Sequence, residues 1–210
     1  MTAPPRIVGF MPYAAQPSRS QRLALTLKAL AGRGCRVTAV LCDGAFAACD
    51  LYPGPAPRPV NACLLCQAGA AGRMAEWALP YRWLGRWIEP GDGARAAAWL
   101  AGLKPQDYAE AKLDAWPLGI WTGAGEAAGT AAPETHARRL HSAAVAAMAC
   151  DRLLDDLRPS LLLTGADDGL CRTAQGVAAA RYLPSEACMG DGGVSAETVE
   201  RACGAIEHRP

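Results

Sequence analysis

The sequence predicts an α/β fold, a parallel sheet with helices packed on its faces. Two observations carry that expectation. Arg6–Phe10 (RIVGF) and Cys35–Cys42 (CRVTAVLC) are short apolar, β-branched runs, and the segment between them has helical spacing. Ser160–Thr164 (SLLLT), with one helical pattern before it and another after it, repeats the arrangement later in the chain. Strands joined through a helix run parallel, with a right-handed crossover.

The elements follow in order. Pro12 and Pro17 break the loop after the first strand, and Ser18 or Ser20 is the expected N-cap of the first helix. Leu23, Leu27 and Leu30 fall on one face of that helix, which Gly32 and Gly34 end. The second strand leaves Cys42 at its carboxyl end, the edge at which open α/β sheets hold ligands. Residues 42–66 are expected to be a cysteine-rich loop, because YPGPAPRPV at its middle is too dense in proline and glycine for a helix or a central strand. Gly72–Trp87 combines arginines with Trp77, Trp83 and Trp87 and is broken at Pro80. Its tryptophans suit core packing, and equally a stacked sugar ring or a membrane surface. Ala94–Leu103 and Pro105–Ala115 read as short helices, and residues 116–133 as an irregular connection with a brief strand at Leu118–Trp121.

A long helix is expected over Glu134–Leu157, with Leu140, Ala144, Met148, Leu154 and Leu157 near one face and Pro159 as its stop. After the SLLLT strand, GADDG forms a turn, and Leu170–Tyr182 a helix with Leu170, Ala174, Val177 and Ala178 inward. Ser195 caps a last helix carrying Val199, Ala202 and Ile206. The expected organisation is a Rossmann-like domain over residues 1–184, with the cysteine-rich loop at the carboxyl edge of its sheet, and a helical tail over 185–210.

Composition narrows the function. A net charge of +1 over 210 residues gives no field that would draw nucleic acid. No run of eighteen apolar residues is present for a transmembrane helix, and MTAPPRIVGFMPY lacks the apolar core of a secretory signal, so a cytoplasmic location is expected. Nine cysteines is an odd number for a disulfide framework and points to metal or redox roles.

The leading candidate site is Cys42, Cys49, Cys63 and Cys66, spaced C-x6-C-x13-C-x2-C. Four thiolates converging on one ion would pin a loop that packing alone is not expected to hold, and they suit zinc or an iron–sulfur cluster equally. Two other readings stand beside it: a thiol–disulfide CxxC pair, or small buried apolar cysteines. Asp167 and Asp168 of GADDG are placed to hold a sugar hydroxyl or act as a base, or simply to form the turn and the helix cap. Arg138, Arg139 and His141 form a small basic patch for a phosphate, or a solvated helix face. Gly123, Gly125 and Gly129 are off the dinucleotide-binding spacing and read as a connector.

The helix ending in LAGRGCRVTAVLCDGAFAACD, the CLLCQAGAAGR segment, and the later LHSAAVAAMACDRLLDDLRPSLLLTGADDG with CRTAQGVAAARYLP together resemble a known family. They are similar to the N-terminal, GT-B-like halves of bacterial glycosyltransferase-like proteins of surface and capsular polysaccharide synthesis, over residues 5–184. The resemblance implies a glycosyltransferase-like domain with a four-cysteine metal site. It also implies a partner chain carrying the donor-binding domain, since too little sequence follows Pro184 for a second such domain. The alternative from another class is a cysteine-ligated iron–sulfur protein with a redox or radical role; a third is an interaction module that binds through the arginine–tryptophan segment.

Overall fold

A computed structural model describes residues 3–49, 51, 59–119, 133–165 and 168–188. The chain runs β1 (Arg6–Met11), α1 (Pro17–Gly32), β2 (Arg36–Leu41), α2 (Val60–Trp77), β3 (Tyr81–Trp83), a 3-10 turn at Leu84–Trp87 and α3 (Asp92–Ala101). A second 3-10 turn at Pro105–Glu110, β4 (Lys112–Leu113), β5 (Trp116–Pro117), α4 (Pro133–Leu157), β6 (Leu161–Thr164), α5 (Gly169–Ala180) and β7 (Ser185–Ala187) follow. β4 and β5 form a small antiparallel pair. The other five strands form one parallel sheet in the order β3-β2-β1-β6-β7, the Rossmann-like arrangement expected.

Alternation along the strands sorts the core into two layers. Val8 and Phe10 of β1, Val40 of β2 and Leu162 of β6 face a cluster built from α3, α4 and α5. Ile7, Met11, Leu41, Leu161 and Leu163 face the other way, onto α1 and onto Ala70 and Met74 of α2. Both faces of the central strands are covered, which is why their sequences read as unbroken apolar runs. The strand order reverses between β1 and β6, so the loops at their carboxyl ends bound the topological switch point.

The structure departs from the sequence expectations at several places, the first being the N-cap of α1, which is Gln16 rather than Ser18 or Ser20. Cys63 and Cys66 are not in a loop: α2 begins at Val60, and VNACLLCQAGAAGRMAEW is rich enough in good helix formers to fold as soon as the prolines end at Pro59. The arginine–tryptophan segment supplies β3, which pairs with β2 after Ala78, in the left-handed conformation, ends α2. Pro105–Glu110 is a 3-10 turn rather than a longer helix, and the brief strand lies at Trp116–Pro117 instead of starting at Leu118. Ser185–Ala187 joins the sheet edge, in a stretch read as tail; three half-buried residues carry no periodicity to announce a strand. Trp121, the glycines of 123–129, Asp167, Cys203 and the helix expected after Ser195 lie outside the described residues. No helix among the described residues is long and apolar enough to cross a membrane.

One buried ion pair fastens α3 to α4. Asp92 is 3% exposed. Arg152 meets it fork to fork, with Nη1 and Nη2 each donating at 2.7 Å to one carboxylate oxygen. The same guanidinium donates to the Trp87 carbonyl at 2.8 Å, and the Glu89 N–H donates to Asp92 Oδ2 at 2.9 Å. Burial pushes the Asp92 carboxyl up, but the hydrogen bonds from Arg152 and Glu89, with the charges of Arg152 and Arg95, outweigh it and leave it below its ordinary value of 3.8. A lowered carboxyl contributes stability above that value and loses it as pH falls through the folded-state pKa. Asp92→Ala is therefore expected to cost about 2–3 kcal/mol in urea unfolding at neutral pH, the scale of charge-assisted hydrogen bonds. The gap between variant and parent should shrink as pH is lowered below about 4; a gap that stays constant with pH would refute the assignment.

Candidate functional site

Cys42 is the first residue past β2, and residues 43–48 after it are held by neighbouring elements. Phe46 anchors them in the α3–α5 side of the core at 3% exposure. The Ala48 N–H donates to Ser142 Oγ at 2.9 Å, and Arg138 Nη2 donates to the Ala47 carbonyl at 2.8 Å, so α4 grips the chain at Ala47 and Ala48. Asp43 grips the near end. Its Oδ2 accepts from the Gly85 N–H at 3.0 Å, and its carbonyl accepts from Gln67 Nε2 of α2 at 2.7 Å. A β-carbon on Gly85 would fall 2.0 Å from Asp43 Oδ2, so only glycine brings that amide to the carboxylate.

Helix geometry places the other cysteines. Cys63, Cys66 and Gln67 lie three and four residues apart in α2 and share a face toward the loop, while Leu64 and Leu65 between them are 60% and 73% exposed. The result is one cavity at the carboxyl edge of the sheet, lined by Cys42, Cys49, Cys63 and Cys66 together with Tyr13 and Gln67. It has room for about one water-sized group. None of the four cysteines is in a disulfide. The Gly44 N–H donates to Cys42 Sγ at 3.3 Å. Burial pushes the Cys42 thiol up to about 12; the Gly44 amide opposes this, and Cys49, Asp43 and Cys63 add to it. Cys42 is thus a protonated thiol at neutral pH.

The expected four-thiolate metal centre, zinc or iron–sulfur, is corrected by this geometry. The four cysteines share a cavity. Yet no group of three or more His, Cys, Asp or Glu side chains among the described residues is placed to hold a metal ion. The described part of the loop owes its shape to Phe46, Asp43, Ala47 and Ala48, through packing and main-chain hydrogen bonds that the spacing of cysteines does not reveal.

The remaining candidates are engaged as follows. Asp168 caps α5, its Oδ1 accepting from the Cys171 N–H at 3.1 Å. Its Oδ2 stands 3.8 Å from Arg19 Nη1, and the Arg19 guanidinium lies over the Tyr13 ring at 5.3 Å, so these three span the switch point beside the cavity. Arg138 holds the Ala47 carbonyl, Arg139 is buried, and a His141 ring nitrogen lies 3.1 Å from the Gly93 carbonyl. Arg138 and His141 join α4 to neighbouring segments rather than converge on one open pocket. Tyr13, Gly44, Gln67 and Gly85 escaped the sequence reading; the signal nearest to them is the Asp-Gly pair directly after a strand.

No family model matches the sequence, and no curated protein matches it. Among solved structures, the chain is similar to a CDPS (cyclodipeptide synthase) from Fluoribacter dumoffii, at 9% identity and a TM-score of 0.49, over 86% of this chain and 87% of that one. It is also similar to the zinc-inhibited form of the teicoplanin deacetylase Orf2, at 14% identity and a TM-score of 0.46, over 96% of this chain and 82% of that one. A deacetylase–teicoplanin complex gives 15% identity and a TM-score of 0.45 over 96% and 85%. At these levels the likenesses assign neither activity nor ligand. None of these structures is a glycosyltransferase, and the expected glycosyltransferase-like reading is corrected accordingly. The motifs behind that expectation, a strand–helix–strand with cysteines near a strand end, are features of layered α/β proteins at large.

Two outcomes follow from the site's geometry. Gly85→Ala should push Asp43 from its place and cost about 1–3 kcal/mol of stability, the range for overpacking a filled site; an unchanged urea midpoint would contradict the contact. Alkylation of Cys42 by iodoacetamide should rise about tenfold per pH unit between about pH 7 and about pH 10, because the thiolate reacts. A plateau below about pH 9, read by peptide mass spectrometry, would contradict the raised thiol.

Proposed function

We propose that this protein works by thiol–disulfide exchange at the cavity on the carboxyl edge of its sheet. The observation that carries the reading is that thiols from separate parts of the chain, Cys42 and Cys49 of one loop and Cys63 and Cys66 of α2, line the same small space. Exchange is attack of a thiolate on a nearby sulfur, so it needs sulfurs close together and at least one thiol that solvent can reach, which half-buried Cys63 and Cys66 supply. A space with room for about one water-sized group suits that chemistry better than it suits a sugar ring. The edge of the sheet is where an α/β scaffold offers loops around a rigid frame. The reading includes a cytoplasmic location, where such thiols are returned to the reduced state.

The test is equilibration of the purified chain in glutathione buffers of graded redox potential, followed by trapping and peptide mapping. Oxidation should be confined to Cys42, Cys49, Cys63 and Cys66, while Cys150, Cys171 and Cys188, buried in the core, stay reduced. Four thiols that remain reduced across the whole range, or that are masked by stoichiometric metal in the purified protein, would overturn the proposal.

A further inference from the structure

Which two sulfurs join is decided by geometry around α2 and Gly44. Cys63 and Cys66 are the nearest pair in this group along the sequence, but the helix opposes them. β-carbons three residues apart on a helix stand about 5–6 Å from each other, whereas a disulfide needs about 3.5–4.5 Å. Both residues lie inside α2, so that bond would require the helix to distort. Cys63 has a different neighbour. A β-carbon placed on Gly44 would lie 3.0 Å from Cys63 Sγ, and the Gly44 N–H donates to Cys42 Sγ at 3.3 Å. The two sulfurs sit against the backbone of one residue, where any side chain would crowd Cys63. That residue has φ +84, a conformation that favours glycine. Cys49 lines the same cavity and its charge acts on Cys42 at least as strongly as that of Cys63, but it does not meet Gly44 as Cys63 does, and the residues before it are tied to α4 through the Ala47 carbonyl and the Ala48 N–H.

The geometry points to Cys42 and Cys63 as the reactive dithiol, oxidised by a low-molecular-weight disulfide of the glutathione type, with Cys49 and Cys66 remaining thiols. This rests on the thiol–disulfide reading above. Cys63, on the surface helix, gives its proton to water and attacks one sulfur of the small disulfide, releasing one thiolate and leaving a mixed disulfide. Cys42 then attacks the Cys63 sulfur and expels the second small thiolate, which takes up the Cys42 proton. One small disulfide is reduced to two thiols, and two protein thiols are oxidised to one Cys42–Cys63 bond. That bond fastens the end of β2 to α2.

The closing experiment maps disulfides in the full chain under oxidised and reduced glutathione, in the parent and in Cys42→Ser, Cys63→Ser, Cys49→Ser and Cys66→Ser. The expected product is a Cys42–Cys63 crosslinked peptide in the parent, kept in Cys49→Ser and Cys66→Ser and lost from the other two. Oxidation should also raise the Tm of the parent by several degrees, as a crosslink between distant positions does. A Cys63–Cys66 or Cys42–Cys49 crosslink overturns this pairing while leaving thiol exchange standing. Reduced thiols throughout overturn both. The map of the parent decides the pairing even where a serine variant fails to fold.

Discussion

Asp43 joins the elements on which the site depends. Its carboxylate receives the Gly85 amide from the turn after β3, and its carbonyl receives Gln67 from α2, while its own backbone continues β2. A parallel sheet leaves its carboxyl-end loops with main-chain groups that the sheet does not pair, and each such group must find a partner or face water. Here a single residue answers for two other segments. The cysteine-lined cavity is the space left between parts that Asp43 has already fixed, and its shape is therefore inherited from hydrogen bonding and packing rather than created by the sulfurs.

Much of the frame was legible in the residues. RIVGF, CRVTAVLC and SLLLT announced the three central strands because burial on both faces removes any need for polar alternation. Leu23, Leu27 and Leu30 announced α1, and all three are buried. The long apolar stripe announced α4 within a residue at its start. What stayed hidden has a common cause. β3 and β7 are three residues long, and their pairing is decided by the neighbouring strand instead of by any pattern of their own. The start of α2 was hidden by the prolines before it, whose influence ends at Pro59.

The site was legible in part. That Cys42 stands at a strand end and that the four cysteines belong to one place could be read from spacing and from the strand–helix–strand order. How the loop is held could not, because Ser142 and Arg138 reach it from about a hundred residues away in the chain, and side-chain bonds over such separations leave no local trace. The cap formed by Asp168 was the plainer of two readings of GADDG, and the hydrogen bond to the Cys171 amide accounts for its place at the head of α5.

Among the described residues, both rims of the five-stranded sheet are three-residue strands, Tyr81–Trp83 on one side and Ser185–Ala187 on the other. A rim that short offers a stranger only one or two main-chain bonds before the chain turns away, and Pro80 blunts one of them at its start. The long, adhesive strands are kept in the middle of the sheet, where their hydrogen-bonding capacity is already used. Crowded copies of this chain accordingly have little purchase for zippering into a continuous ribbon.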